Sequence, residues 1–258
     1  MIIIENVLYF FSTLVFGVKF LLVGGLAHSL NATQYFDDPD VAAFVSDLQS
    51  GRADRVAAAL GSGMDPNVEG KEGFRPIFFV FQAQTTDAAR ALLAAGADPN
   101  ARMPNGNPPL MLSVRMDNPA FTELLLSYGA DPNGVGENDK PVLFEAVRSG
   151  VTEHIERLAG AGADLDRVWG FSTPLISAVR GTSWRSASVL LDLGADPSWR
   201  PQVGRSRMTA AEILCWMFTR EPHPLKVAGR GQAEVRVLLD AFARRGVMLP
   251  CSGILESS

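Results

Sequence analysis

Three histidines, two cysteines and one spaced set of arginines are the residues of this 258-residue chain whose types could do chemistry. His28, His154 and His223 stand far apart and share no zinc-type spacing. His154 lies in TEHIER between Glu153 and Glu156, a setting that reads as a solvated helix face. Leu60-Gly61-Ser62-Gly63 sets a serine between glycines, but it closes a helical pattern and lacks the strand–turn–helix frame of a nucleophile elbow. Gly134-Val135-Gly136 falls in a turn and is no phosphate cradle. Cys215 and Cys251 are too few for a metal site or a disulfide scaffold. Two unpaired thiols are expected, Cys215 buried and inert on a helix, although an oxidising compartment would permit one bridge. No constellation for catalysis, a cofactor or a metal emerges, so the chain is not expected to be an enzyme or to hold a small molecule.

Recognition chemistry is better represented. Arg115, Arg148 and Arg180 recur at intervals of 33 and 32 residues, in a column that continues back through Gln82 and Gln49 and forward to Trp216. Arginines in line can take carboxylates in paired hydrogen bonds. The plainer reading is solvated side chains that suit the negative end of a helix. Net charge is −5, which argues against nucleic acid as the partner, because proteins that hold phosphates usually carry a basic excess.

The elements that must position these residues are announced by a repeat. GADPN at 96–100 returns unchanged at 129–133, with echoes GMDPN at 63–67, GADLD at 162–166 and GADPS at 194–198. The leading glycines are 33, 33, 33 and 32 residues apart. Twenty-one residues before four of them come RPIFFVF (75–81), PPLMLSV (108–114), PVLFEAV (141–147) and TPLISAV (173–179). These predict short helices opened by a proline, which suits a first turn whose N–H has no partner. Between each block and its glycine runs a second helical pattern, such as ARALLAAG or FTELLLSYG. Glycine ends that helix in a left-handed conformation, and Asp-Pro-Asn then turns the chain.

Helix, turn, helix, stop and projecting turn at this period resemble the ankyrin-repeat family over about residues 40–250. The resemblance implies an all-α ankyrin-repeat solenoid of about six helix-turn-helix units with projecting turns. Residues 38–63 would form an N-terminal capping unit. Segments 208–218 and 232–246 would form the last pair, separated by the insert TREPHPLKVAGRG (219–231). Phe78, Met111, Phe144 and Ile176 replace the family's usual histidine, and bulky Val80-Phe81 replace a small pair, so a less regular array is expected. The family works by non-catalytic binding of another protein. It places the arginine column on the concave face near inner-helix ends, and the turn tips beside it. Tip residues include Lys71, Glu72, Phe74, Met103, Pro104, Asn105, Glu137, Asn138, Lys140, Arg200 and Arg205. Trp169, Phe171 and Trp199 fall at neighbouring tips, where aromatic side chains concentrate interface energy, unless a tryptophan folds back on its neighbour. Phe78, Met111 and Phe144 read as core, and Trp184 as core or contact. Candidate partner-binding residues are therefore Arg115, Arg148, Arg180, Trp169, Phe171, Trp199 and Trp216.

Residues 1–33 stand outside the repeat, which occupies 34–258. Val7 to Ala27 carry one charge, Lys19, over about the length that spans a bilayer. The apolar residues outweigh the ~2.5–3.5 kcal/mol cost of that lysine. Three readings fit: a hydrophobic N-terminal helix anchoring the protein in a membrane through residues 7–27, a cleavable signal segment, or a helix packed on the first unit. Length favours the anchor, and the missing basic n-region argues against the signal. No Lys or Arg flanks the segment until Arg52, and family habit leaves the repeats extracytoplasmic, periplasmic in a bacterium. Exported bacterial members of the family include envelope scaffolds and immunity proteins that inhibit a toxin. The alternative from another class is a structural or accessory subunit of a membrane complex, with the N-terminal helix as its main contact. Asn31-Ala32-Thr33 fits the glycosylation triplet, which often arises by accident.

Overall fold

The computed structural model describes residues 31–83, 85–201, 207–218 and 232–251. The apolar segment 7–27, the insert 219–231 and Arg205 lie outside them. Among the described residues a short helix, α1 (Ala32–Tyr35), precedes six two-helix units. They are α2 (Pro39–Gln49) with α3 (Ala53–Gly61); a 3-10 helix (Pro76–Gln82) with α4 (Asp87–Ala94); and α5 (Pro109–Ser113) with α6 (Ala120–Ser127). After these come α7 (Val142–Ser149) with α8 (Thr152–Gly160), α9 (Pro174–Arg180) with α10 (Trp184–Leu193), and α11 (Ala210–Phe218) with α12 (Gln232–Arg244). First helices stack on first helices from α2 to α11, and most second helices pack likewise: α3 on α4, α6 on α8, α8 on α10 and α10 on α12. The array is thus a two-layered, all-α solenoid whose core runs lengthwise between the layers. Among the described residues the only β pairing is two isolated bridges, both in projecting turns.

The repeated pentapeptide splices one unit to the next. Gly96, Gly129 and Gly162 end their helices at φ between 87° and 94°, a region that penalises a Cβ. The aspartate two residues on then accepts a backbone N–H from the fifth position: Asn100 to Asp98 at 2.8 Å, Asn133 to Asp131 at 2.9 Å. The asparagine reaches across to the following unit. Asn67 donates to Gly96 O and accepts from Asp98 N, both at 2.8 Å, and Asn100 and Asn133 repeat the pattern with the next two turns. Where Asp166 replaces asparagine the acceptor half survives, at 2.8 Å from Asp196 N. A carboxylate cannot supply the other half, so Gly194 O takes its bond from Arg245 at 3.3 Å. Burial raises the Asp166 pKa, and Asp196 and Asp164 add to this against the bond from Asp196 N.

The expected irregularity appears in the second unit, where Pro76–Gln82 winds as a 3-10 helix. Val80 stands there in the column filled elsewhere by Ser113, Ala146 and Ala178, and every residue from Pro76 to Val80 is buried. The N-terminal end of the solenoid is closed by aromatic rings. Tyr35 meets Phe74 at 4.1 Å between centroids and Phe36 meets Phe79 at 5.7 Å. The other end corrects an expectation: Cys215 and Cys251 are not free thiols but a disulfide, with Cα atoms 5.5 Å apart. α12 folds back on α10 and returns the C-terminal turn to α11, a juxtaposition that 36 residues of separation do not announce.

Candidate functional site

Two arginines of the column, Arg115 and Arg148, are organised by a residue outside it. Gln49 and Gln82 join across the first two units through a 3.1 Å side-chain hydrogen bond. Arg115, at the end of the third unit's first helix, reaches 2.8 Å to Glu145 on α7, and Arg148 bonds the same carboxylate from one turn along. Lys140, in the turn before α7, is its third cation. The Glu145 side chain is only 2% exposed, against 23% for Arg115 and Lys140 and 58% for Arg148. Burial alone would raise the Glu145 pKa. The hydrogen bonds from Arg148 and Lys140, with the fields of Arg115 and Lys140, outweigh it and hold the carboxyl at about 2. The Arg148 guanidinium is pushed above its usual value by the same bond, in spite of its own desolvation. Arg115 and Arg148 are therefore already engaged, with one face of Arg148 open to solvent. Arg180 is exposed and makes no ion pair among the described residues. Glu145 had a signal in the sequence: an acid in a column otherwise held by Phe79, Leu112 and Ser177.

The projecting turn between the fourth and fifth units is built on this cluster. Trp169 folds back: its Nε1 donates to Asn138 O at 3.0 Å, its ring meets Phe144 at 5.5 Å, and Lys140 Nζ lies 5.7 Å from the ring centre. Backbone bonds in both directions between Trp169 and Ser172, at 3.0 and 3.3 Å, close a tight turn through Gly170 at φ 61°. The turn displays Phe171, 64% exposed, with Val168 beside its base at 48%. Trp169 is thus the support and Phe171 the tip. Trp199, one turn further on, is half-buried against the core, and Arg200 in the same turn pairs with Glu212. Trp216 is 48% exposed on α11. Trp184, left open by the sequence, is core.

His154 is the second correction. Far from lying on a solvated face, it is fully buried, 2.9 Å from Thr122 Oγ1 through Nδ1 and 2.8 Å from Met116 O through Nε2. The flanking Glu153 is exposed, but a rotation of 100° along the helix places the imidazole between units, in the column of Ala88, Phe121 and Ser186. Among the described residues no three His, Cys, Asp or Glu side chains gather as a metal site would require. No helix there is long and apolar enough to cross a membrane.

Residues 45–136 match the family model of ankyrin repeats (three copies). No curated protein matches the chain.

Proposed function

From the premise that this chain is an ankyrin-repeat protein, we propose that it grips one protein partner through the turn tip at Phe171 and the cations beside it. The observation that carries the reading is the fixed presentation of that tip. Trp169 is held by a hydrogen bond, an aromatic contact and a cation, so Phe171 is offered to solvent on a support already ordered before binding. Preorganisation of this kind spares a partner the entropy of ordering the contact, and apolar aromatic anchors ringed by charge concentrate binding energy. Lys140, against the supporting Trp169, and Arg148, which shares Glu145 with that lysine and is open on one side, give the base of this turn a basic character. The partner surface that fits is an apolar pocket edged with carboxylates.

The same reading places the protein in the envelope, tethered through residues 7–27 with the repeats outside the cytoplasm. The Cys215–Cys251 bond supports this, because such bonds persist in oxidising compartments. An envelope scaffold and an immunity protein that blocks a toxin are the two forms of binder that suit that location. The test is site-specific photocrosslinking in the native cell, with the probe at Phe171 in one strain and at the exposed Asp54, on the far end of the array, in another. One discrete adduct from position 171 and none from 54 is expected. Phe171→Ala and Arg148→Ser should then each weaken binding of the purified partner about tenfold or more without altering the far-ultraviolet spectrum. Equal crosslinking at both positions, or unchanged affinity in both variants, would overturn the assignment.

A further inference from the structure

Ser113, Thr122 and His154 are polar residues in three columns that are otherwise apolar or small, and all three meet at the junction of the third and fourth units. Ser113 Oγ is 2.9 Å from Leu110 O and 2.9 Å from Thr122 Oγ1, which is 2.9 Å from His154 Nδ1. On the other side of the ring, His154 Nε2 lies 2.8 Å from Met116 O. A carbonyl only accepts, so Nε2 carries a hydrogen in either charge state. With the ring neutral, Thr122 donates to Nδ1 and Ser113 donates to Thr122. With the ring protonated every hydroxyl turns round: Nδ1 donates to Thr122, Thr122 to Ser113, and Ser113 to Leu110 O. Both states therefore keep the bonds His154 makes to Thr122 and Met116 across the junction, although with the ring neutral Ser113 has no hydrogen left for Leu110 O, which accepts from Val114 N at 3.2 Å.

What changes is charge. The imidazole is fully buried and no carboxylate touches it. Glu153 on its own helix and Asp117 on the α5–α6 link favour the cation from a distance, and Arg157 opposes it. The groups on the remaining packed elements are engaged elsewhere: Glu123 of α6 with Arg157, Glu145 of α7 with its three cations, and Arg185 and Asp192 of α10 with Glu234 and Arg244. We propose that this chain of side chains is a proton-operated joint: neutral His154 holds the third and fourth units together, and protonation loosens that one junction while the others stay closed. Desolvation is the largest influence on His154 and lowers its pKa, in keeping with the neutral form being the closed one. The stabilisation is present above the ordinary histidine value of about 6.5 and is lost as pH falls below it through the lower folded value. The consequence reaches the candidate binding site, since Met116 follows Arg115, whose guanidinium crosses the same junction to Glu145. That link rests on the proposed binding surface; the joint does not.

The test is amide hydrogen exchange of the full chain at pH 7.5 and pH 5, corrected for intrinsic rates, in wild type and His154→Gln. Protection in α5, α6 and α8 should fall about threefold to tenfold in wild type at the lower pH, with α2 and α3 unchanged, and the difference should vanish in the variant. Glu145 stays ionised across this range, and loosening through Asp166 would appear one junction later, between the fourth and fifth units. Should the variant fail to fold, the nitrogen shifts of the His154 ring in wild type decide the matter. Titration at or above the ordinary histidine value, or a loosening spread evenly along the array, would overturn the joint.

Discussion

Changing Glu145 to Gln keeps the shape of the side chain and removes the one anion shared by Arg115, Lys140 and Arg148. A carboxyl held at about 2 in the folded protein, against 4.5 unperturbed, is favoured as the anion by ~3 kcal/mol. Arg148 is 58% exposed and its share is screened by water, which brings the expected loss to roughly 2–3 kcal/mol. For a domain of this size that corresponds to a fall in midpoint of roughly 4–12 °C. Thermal unfolding followed by circular dichroism at pH 7 measures it. The sign of the pH dependence supplies the stricter check. Because the folded pKa is depressed, the stabilisation is complete above the unfolded value near 4.5 and disappears as pH falls toward 2. Wild type and Glu145→Gln should therefore differ at pH 7 and converge in acid. Equal midpoints at pH 7, or a gap that survives unchanged at pH 2, would refute the claim that the three cations are organised by this carboxylate.

Asp166→Asn restores the missing donor toward Gly194 O and removes a half-buried acid whose pKa is raised, so it should stabilise the fold by ~0.5–1.5 kcal/mol in urea unfolding. Gly70→Ala should destabilise it by ~1–3 kcal/mol in the same assay, since a Cβ there would stand 2.5 Å from Tyr35 O and 2.7 Å from the Phe36 ring. Reducing the Cys215–Cys251 bond, or replacing both residues with serine, should cost ~3–4 kcal/mol by the loop-closure relation for a separation of 36 residues. That loss should appear as lost exchange protection in α11 and α12 ahead of the rest of the array.

The sequence made the solenoid legible because its period is carried by residues with strong local consequences. Gly96 and Gly129 need left-handed backbone, Asp98 and Asp131 bond their own turns, and proline opens α5 and α9; none of this depends on distant context. The arginine column was legible for the same reason, as a spacing. What the column does was not, because Glu145 acts through burial, and burial is a property of the stacked units. His154 failed in the same way: two flanking glutamates describe the local helix, whereas Thr122 and Met116 lie 32 and 38 residues away. The cysteine pair failed because only the return of α12 brings its members together. A better reading was available by comparing columns across units, where Ser113, Thr122, His154 and Glu145 each interrupt an apolar or small series.

Those four interruptions share one junction, and that distribution bears on how the array works. In a stacked repeat each unit touches only its neighbours, so the energetics of one interface can be altered with little effect on the others. The N-terminal end is closed by packed aromatic rings and the C-terminal end by a disulfide, neither of which responds to mild changes of pH. Charge and protons enter the interior between the third and fourth units, through Glu145 on one layer and His154 on the other. Lys140, from the turn that joins those units, also lies against Trp169 under the displayed Phe171. The part of the surface best prepared to meet a partner thus stands on the interface most open to adjustment. An apolar interface there would have been easier to stabilise, because burying Glu145 requires three cations to offset its desolvation. Polar residues placed at that cost make the geometry of one joint specific, and in this chain it is the joint that carries the candidate site.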